Sequence, residues 1–193
     1  MPEEGNLVRW PWFQFYDSAP SLQQSDEIVQ SWDTASKTSD LADYSVCTTW
    51  HIKGGQYYLL EVFREKLAFP DLQRAVIAQA KKFNARTVLI EDSASGTALI
   101  QNLRGQHIAG LCSPIAVKPE DDKVMRIHRQ SAKIEAGSVH LPKKASWLDD
   151  FRQELLAFPY GAHDDQVDSM SQFLNWIDWR ERRKIHVRKL IGF

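Results

Sequence analysis

The chain has 193 residues, 43% hydrophobic and 25% charged, enough for one domain with a sizeable buried core. Its 24 basic and 25 acidic residues leave a net charge of −1, which excludes an overall basic field, so any anionic ligand must be met by local patches. No apolar run reaches the ~20 residues that span a bilayer and no secretory signal is visible, so the chain is expected to be cytoplasmic, with Cys47 and Cys112 as buried free thiols.

Residues 1–25 read as a linker-like arm. The segment LVRWPWFQFYDSAPS is rich in aromatics and proline but has no period of 2 or 3.6, and its Trp and Phe side chains are expected to dock on the main body. EIVQSWD predicts a strand that closes on Asp33. YSVCTTWHIKGGQYYLLEVF is two β-rich runs around Gly54-Gly55, the pattern of a hairpin. FPDLQRAVIAQAKKFNA predicts a helix with Pro70 in its first turn and Leu72, Ala75, Val76, Ala80 and Phe83 on one stripe. RTVLIED predicts a central strand, SGTALIQNLRGQ a helix and HIAGLCSPIAVKP another strand. DDKVMRIHRQSAKIEAG is a helix with acids at its start and Gly137 at its end. SVHLP is a short strand or extended segment, and SWLDDFRQELLAF a helix with Trp147, Leu148, Phe151 and Leu155 on one face. GAHDDQVDSMSQFLNW opens the last helix, with Val167, Met170, Leu174 and Ile177 as its buried stripe. Residues 179–193 are expected to be a basic tail, and residues 26–178 the domain proper.

The resulting order is β-β-β-α-β-α-β-α. Three sequential strands form an antiparallel meander, and the crossover helix can return a fourth strand parallel to the first. Such an arrangement has a switch point between strands one and four, where open α/β sheets place their chemistry at carboxyl ends. Strand one ends in Asp33, and strand four in Glu91 and Asp92. Neighbouring strands lie ~4.8 Å apart, so these carboxylates could nearly touch. Asp164, Asp165 and Asp168 at the last helix start could complete the cluster. Any one of these acids alone reads as a turn or cap residue. Together they would be strained, since like charges 4 Å apart cost about 4 kcal/mol at an effective dielectric of ~20. An oxygen-only set calls for a hard cation, Mg²⁺ or Mn²⁺, and two such ions suit in-line attack on a phosphodiester. Because successive strand side chains face opposite ways, only one of Glu91 and Asp92 can enter the site; Glu91 is preferred and Asp92 is the alternative. Asp43 is a candidate acid behind the ligands, with a surface-loop role as the alternative. Lys143, Lys144 and the basic tail are candidate phosphate contacts.

SWDTASKTSDLADYSV, VLIEDSASGTALIQNL, KPEDDKVMRIHRQSAKIEAGSVHLP and GAHDDQVDSMSQFL, in that order, resemble the C-terminal nuclease domain of the large terminase subunit of tailed bacteriophages. The resemblance runs from about Asp26 to Trp176. It implies an RNase H-like α/β fold: a mixed five-stranded sheet, strands 1–3 an antiparallel meander and strands 4–5 parallel to strand 1, flanked by helices. It also implies an endonuclease that cuts concatemeric double-stranded DNA during genome packaging, with two metal ions. By position, Asp33, Glu91 and Asp165 fall on the catalytic, metal-binding acids, with Asp164 and Asp168 as further ligands. His163 would assist with a proton or orient an aspartate, with helix-start structure as the alternative. Lys123 and Arg126 lie in a family signature that faces substrate phosphate, with a solvated helix start as the alternative. The implied partners are DNA, the terminase small subunit, the portal and a packaging ATPase domain, in the host bacterial cytoplasm. No GxxxxGK[ST] motif occurs, so an isolated, monomeric nuclease domain without an ATP site is expected. The rival expectations are another RNase H-like nuclease, of resolvase or transposase type, and a non-catalytic module that docks on DNA or a portal.

Overall fold

Aromatic residues before Asp26 do more than decorate the surface. In the structure, a computed structural model that describes residues 7–35, 43–93 and 95–190 (side chains to 187), a short 3-10 turn at Trp10–Trp12 leads into β1 (Gln14–Tyr16). Val8 and Phe13 are buried in the main core. The core strands then follow the chain order anticipated above: β2 (Glu27–Asp33), β3 (Ser45–Lys53) and β4 (Gln56–Glu65) form the meander. The β3–β4 turn uses Gly54 and Gly55 at φ +57° and +75°, a left-handed pair that side chains with a Cβ rarely adopt. Helix α1 (Phe69–Phe83) carries Pro in its first turn, buries Leu72, Val76 and Ala80, and ends on Asn84 in the left-handed region. It returns the chain to β5 (Thr87–Glu91), which pairs parallel with β2. Helix α2 (Ser95–Gly105), β6 (Ile115–Val117), α3 (Lys123–Glu135), β7 (Val139–Pro142), α4 (Leu148–Ala157) and α5 (Asp165–Leu190) complete the fold.

The sheet order is β1-β7-β4-β3-β2-β5-β6, and only β3 runs against the rest. The five strands expected are β2 to β6. Two more extend the β4 edge: β7 is the SVHLP segment, and β1 comes from the arm. Three residues are too short for a period to show in sequence, and the edge they cover exists only after β4 is placed. The arm is thereby part of the sheet, held also by the Tyr16 hydroxyl donating to the Leu59 carbonyl at 2.6 Å. Two other expectations change. Cys112 is exposed, because the strand in its segment shrinks to residues 115–117 and leaves it in the preceding loop. The basic stretch from 179 continues α5 through Leu190 rather than leaving the fold as a tail; residues 1–6 and 191–193, and the side chains of Arg188 and Lys189, lie outside the described residues.

The sheet separates two apolar layers. One face packs α1 and α2 on Ile28, Trp32, Val88 and Ile90. The other packs α3, α4 and α5 on Val29, Val46, Trp50 and Leu89, with the Trp50 ring stacked on Phe173 at 4.6 Å and 6°. This alternation decides which way the strand ends point. On β2, Val29, Ser31 and Asp33 share the α5 face; on β5, Thr87, Leu89 and Glu91 do.

Candidate metal centre

Parallel register pairs Ser31 with Leu89 and Trp32 with Ile90, so Asp33 and Glu91 follow as the next neighbours at the carboxyl edge of two central strands. Asp92 belongs to the other face. Its carboxylate accepts from the Thr97 hydroxyl at 2.8 Å, at the start of α2. The pleat thus separates the two acids that the sequence left as alternatives, and Glu91 is the one beside Asp33.

Helix α5 supplies the third wall. It is locked on the sheet by a buried polar seam: Ser31 Oγ donates to the Ser169 carbonyl at 2.8 Å and Ser169 Oγ to the Ser31 carbonyl at 2.7 Å. Gln172 Nε2 adds bonds to Ser31 Oγ at 2.9 Å and to the Trp32 carbonyl at 3.1 Å. These contacts fix the first turns of α5, and with them Asp165 and Asp168, against the end of β2. Asp33 is half-buried, and its pKa is raised well above the ordinary carboxylate range, first by desolvation and then by Asp168, Glu91 and Asp165. Asp165 is pushed up to about 6 by burial and by Glu154 and Asp164. Asp168 is also pushed up to about 6 by burial, against the pull of Lys123 and Arg126.

Helix α3 faces this cluster with two cations. Lys123 Nζ lies 2.8 Å from Asp164 Oδ1 and 2.5 Å from Asp168 Oδ2. The buried Arg126 reaches Glu91 at 3.2 Å and Asp168 at 3.0 Å. Among the described residues no three acids, histidines or cysteines close into a ready-made ion cage. The donor set nonetheless fits a divalent cation. Asp33 is half-buried among three acids that push its pKa up, and Lys123 opposes them. All the groups are hard oxygens. Asp168, with a cation on each oxygen, is the acid most fully neutralised by protein; Asp33 and Asp165 are the least.

A family model described as the terminase RNaseH-like domain matches residues 30–176. The chain belongs to that family. The terminase fold is also found by structural similarity. The large terminase nuclease of thermophilic phage G20c with bound magnesium superposes with a TM-score of 0.64 at 17% identity, covering 87% of this chain and 93% of that one. The nuclease domain of the Thermus phage P74-26 large terminase gives 0.59 at 17%, covering 83% and 87%. The large terminase of another thermophilic bacteriophage gives 0.66 at 13%; the match covers 89% of this chain but 43% of that protein. This chain therefore spans less than half the length of that longer terminase. Comparison with curated proteins by sequence gives no match.

Within this terminase domain, several residues shape the site without having stood out in the sequence. Glu154 of α4 is buried and accepts from the Gln166 N–H and Gln166 Nε2, both at 2.6 Å, so it caps α5 from outside. Asp164, the obvious cap by position, instead turns its carboxylate to Lys123. Gly96 lets α2 close on the ends of β2 and β5: a Cβ there would meet the Glu91 carbonyl oxygen at 2.0 Å and Thr34 Oγ1 at 3.3 Å. An S-x-S-G run after a strand is only a loop signal until the strand's neighbours are known. His163 packs edge-on against Tyr44, with centroids 5.4 Å apart, and draws the Asp165 pKa downward. Asp43 lies just before β3, on the same edge of the sheet. Lys143 pairs with Asp17 at 2.7 Å at the end of β7; Lys143 and Lys144 lie on the same edge, about three strand spacings (~14 Å) from β2.

Proposed function

We propose that this chain is the nuclease domain of a phage packaging terminase: a divalent-metal-dependent endonuclease that cuts concatemeric double-stranded DNA in the host bacterial cytoplasm. The observation that carries the proposal is the half-buried Asp33, set among Glu91, Asp165 and Asp168 at neighbouring strand ends of a terminase RNaseH-like domain. The G20c relatives were crystallised with magnesium, zinc and cobalt, which supports an acid set open to divalent ions. We assign Mg²⁺ or Mn²⁺, as two ions, to Asp33, Glu91 and Asp165, with Asp164 at the edge of the site. Bound there, the ions supply a water of lowered pKa and charge neutralisation at the scissile phosphate.

The protein's own residues do the rest. Asp33 is the central acid, shared between the flanking carboxylates of Glu91 and Asp165. Asp168 anchors Lys123 and Arg126 beside the site, where the half-exposed Lys123 would exchange its carboxylates for a DNA phosphate. His163, against Tyr44, restrains the entry to α5 and the position of Asp165. Lys143 and Lys144 lie farther along the same edge and would meet the backbone of a duplex at a distance from the cut, without reading sequence. The terminase small subunit, the portal and a packaging ATPase domain are the proposed partners; the longer of the similar large terminases, crystallised with ADP, has the extra chain that such an arrangement needs.

Supercoiled plasmid nicking in Mn²⁺ tests the function. Wild-type protein should convert plasmid to nicked and linear forms, and Asp33→Ala should fall to background while keeping its circular dichroism spectrum. Cleavage that survives Asp33→Ala would sink the assignment.

A further inference from the structure

Beside Arg126 the structure holds a cavity of about 320 Å³ between the open edge of β6, α3 and α5. It exists because β6 has only three residues and ends the sheet, so no strand fills the space beside it. Its walls combine aromatic and cationic groups with two acids, Glu120 and Asp121. Trp176 is buried, Trp179 is 46% exposed, and Lys118, Arg129 and Arg182 add positive charge. Arg129 is matched by Asp121 at 2.6 Å, whereas Lys118 and Arg182 form no ion pair among the described residues. Three of the wall residues also carry buried polar atoms without hydrogen-bond partners: Arg126 Nε, Gln172 Oε1 and Trp176 Nε1. All three atoms are closed off from the space by their neighbours, so a ligand there would meet the aromatic and cationic walls instead.

We propose that this cavity is a nucleotide subsite, taking one base of the DNA strand beside the cleaved phosphate. The volume is within the range of small-molecule sites and suits a single nucleotide. An indole offers a stacking face to any base, and the two unpaired cations suit a phosphate next to it. A nucleotide in the cavity lies one residue, Arg126, away from the acids, since Arg126 lines the cavity and its guanidinium touches both Glu91 and Asp168. The proposal rests on the nuclease function, because adjacency to the acids is what selects a nucleotide among anionic ligands. It predicts that a strand with unpaired bases is held here better than an intact duplex, whose bases must first unstack.

The test uses the whole chain in EDTA, so that nothing is cleaved. A fluorescein-labelled short oligothymidylate is titrated and followed by anisotropy, with a duplex of equal length and heparin as comparisons. Trp179→Ala and Arg182→Glu, both at exposed positions, should each weaken oligothymidylate binding by about tenfold. Trp179→Ala should leave heparin binding unchanged, and both variants should keep wild-type Mn²⁺ binding by calorimetry. Variants that bind oligothymidylate like wild type overturn the subsite, as does a loss equal for heparin, which would mean bulk charge only. If wild-type protein binds no Mn²⁺ while its oligothymidylate binding still depends on Trp179, the nuclease function fails and the subsite stands.

Discussion

Lys123 is the residue on which the site's charge balance turns. Its ammonium sits where carboxylates of Asp164 and Asp168 converge, and burial, which pulls its pKa down, is outweighed by those two acids, which raise it. It is their counter-ion, and a divalent cation bound by the same acids would compete with it. Lys123→Met should therefore lower the melting temperature of the metal-free protein and tighten Mn²⁺ binding several-fold, read by thermal melts in EDTA and by calorimetry. The acids titrate in the same logic. Asp165 and Asp168, raised to about 6 from 3.8, bind protons more tightly folded than unfolded. Their contribution is full below about pH 4 and is lost as pH rises through 6. Asp26, lowered to about 2 chiefly by the Gln23 N–H, loses its contribution only below that window. Melts in EDTA should show stability falling from about pH 4 to 7, while Mn²⁺ affinity rises over the same interval as the protons leave. The acids themselves were legible as residues in the sequence. Their division of labour was not, since it depends on which face of β5 carries Glu91 and on which acids α3 neutralises.

At the scale of elements, the site depends on how closely α2 and α5 approach two strand ends. Gly96 permits the first approach. Gly96→Ala places a Cβ against the Glu91 carbonyl, so α2 or the end of β5 must move. We expect a loss of about 1–3 kcal/mol in denaturant unfolding, with weakened Mn²⁺ binding because Glu91 shifts with its strand. The second approach is set by the Ser31–Ser169 and Gln172 bonds and by Glu154 at the start of α5. Element order and the helical stripes were readable because period and turn chemistry are local: the β3–β4 hairpin follows from Gly54-Gly55 and α1 from Pro70 and its stripe. The buried serines of α5 were not, because a polar residue inside an apolar helix announces nothing until the strand carbonyl it meets is in place.

For the whole molecule, the arm is the largest departure from local reading. Val8 and Phe13 enter the core of α4 and α5, and β1 covers the β7 edge, an exposed strand that would otherwise invite pairing with another chain. Deleting residues 1–16 should lower the melting temperature by about 5 °C or more and promote self-association, measured by thermal melts and light scattering. Asp33 and Glu91 lie far from that edge, so Mn²⁺ binding at low temperature should persist. By itself the sequence determined the order of strands and helices, the meander and the set of acids that could serve a cation, because these follow from periodicity, glycine pairs and residue chemistry. Only the tertiary structure decided that β2 and β5 are neighbours in register, that Asp92 faces away, that Glu154 caps α5 and that two cations of α3 stand among the acids. Those choices join residues far apart in the chain, as Arg126 meets Glu91 and Asp168 across 35 and 42 positions, and they are fixed by packing across the sheet rather than by any neighbour along the chain.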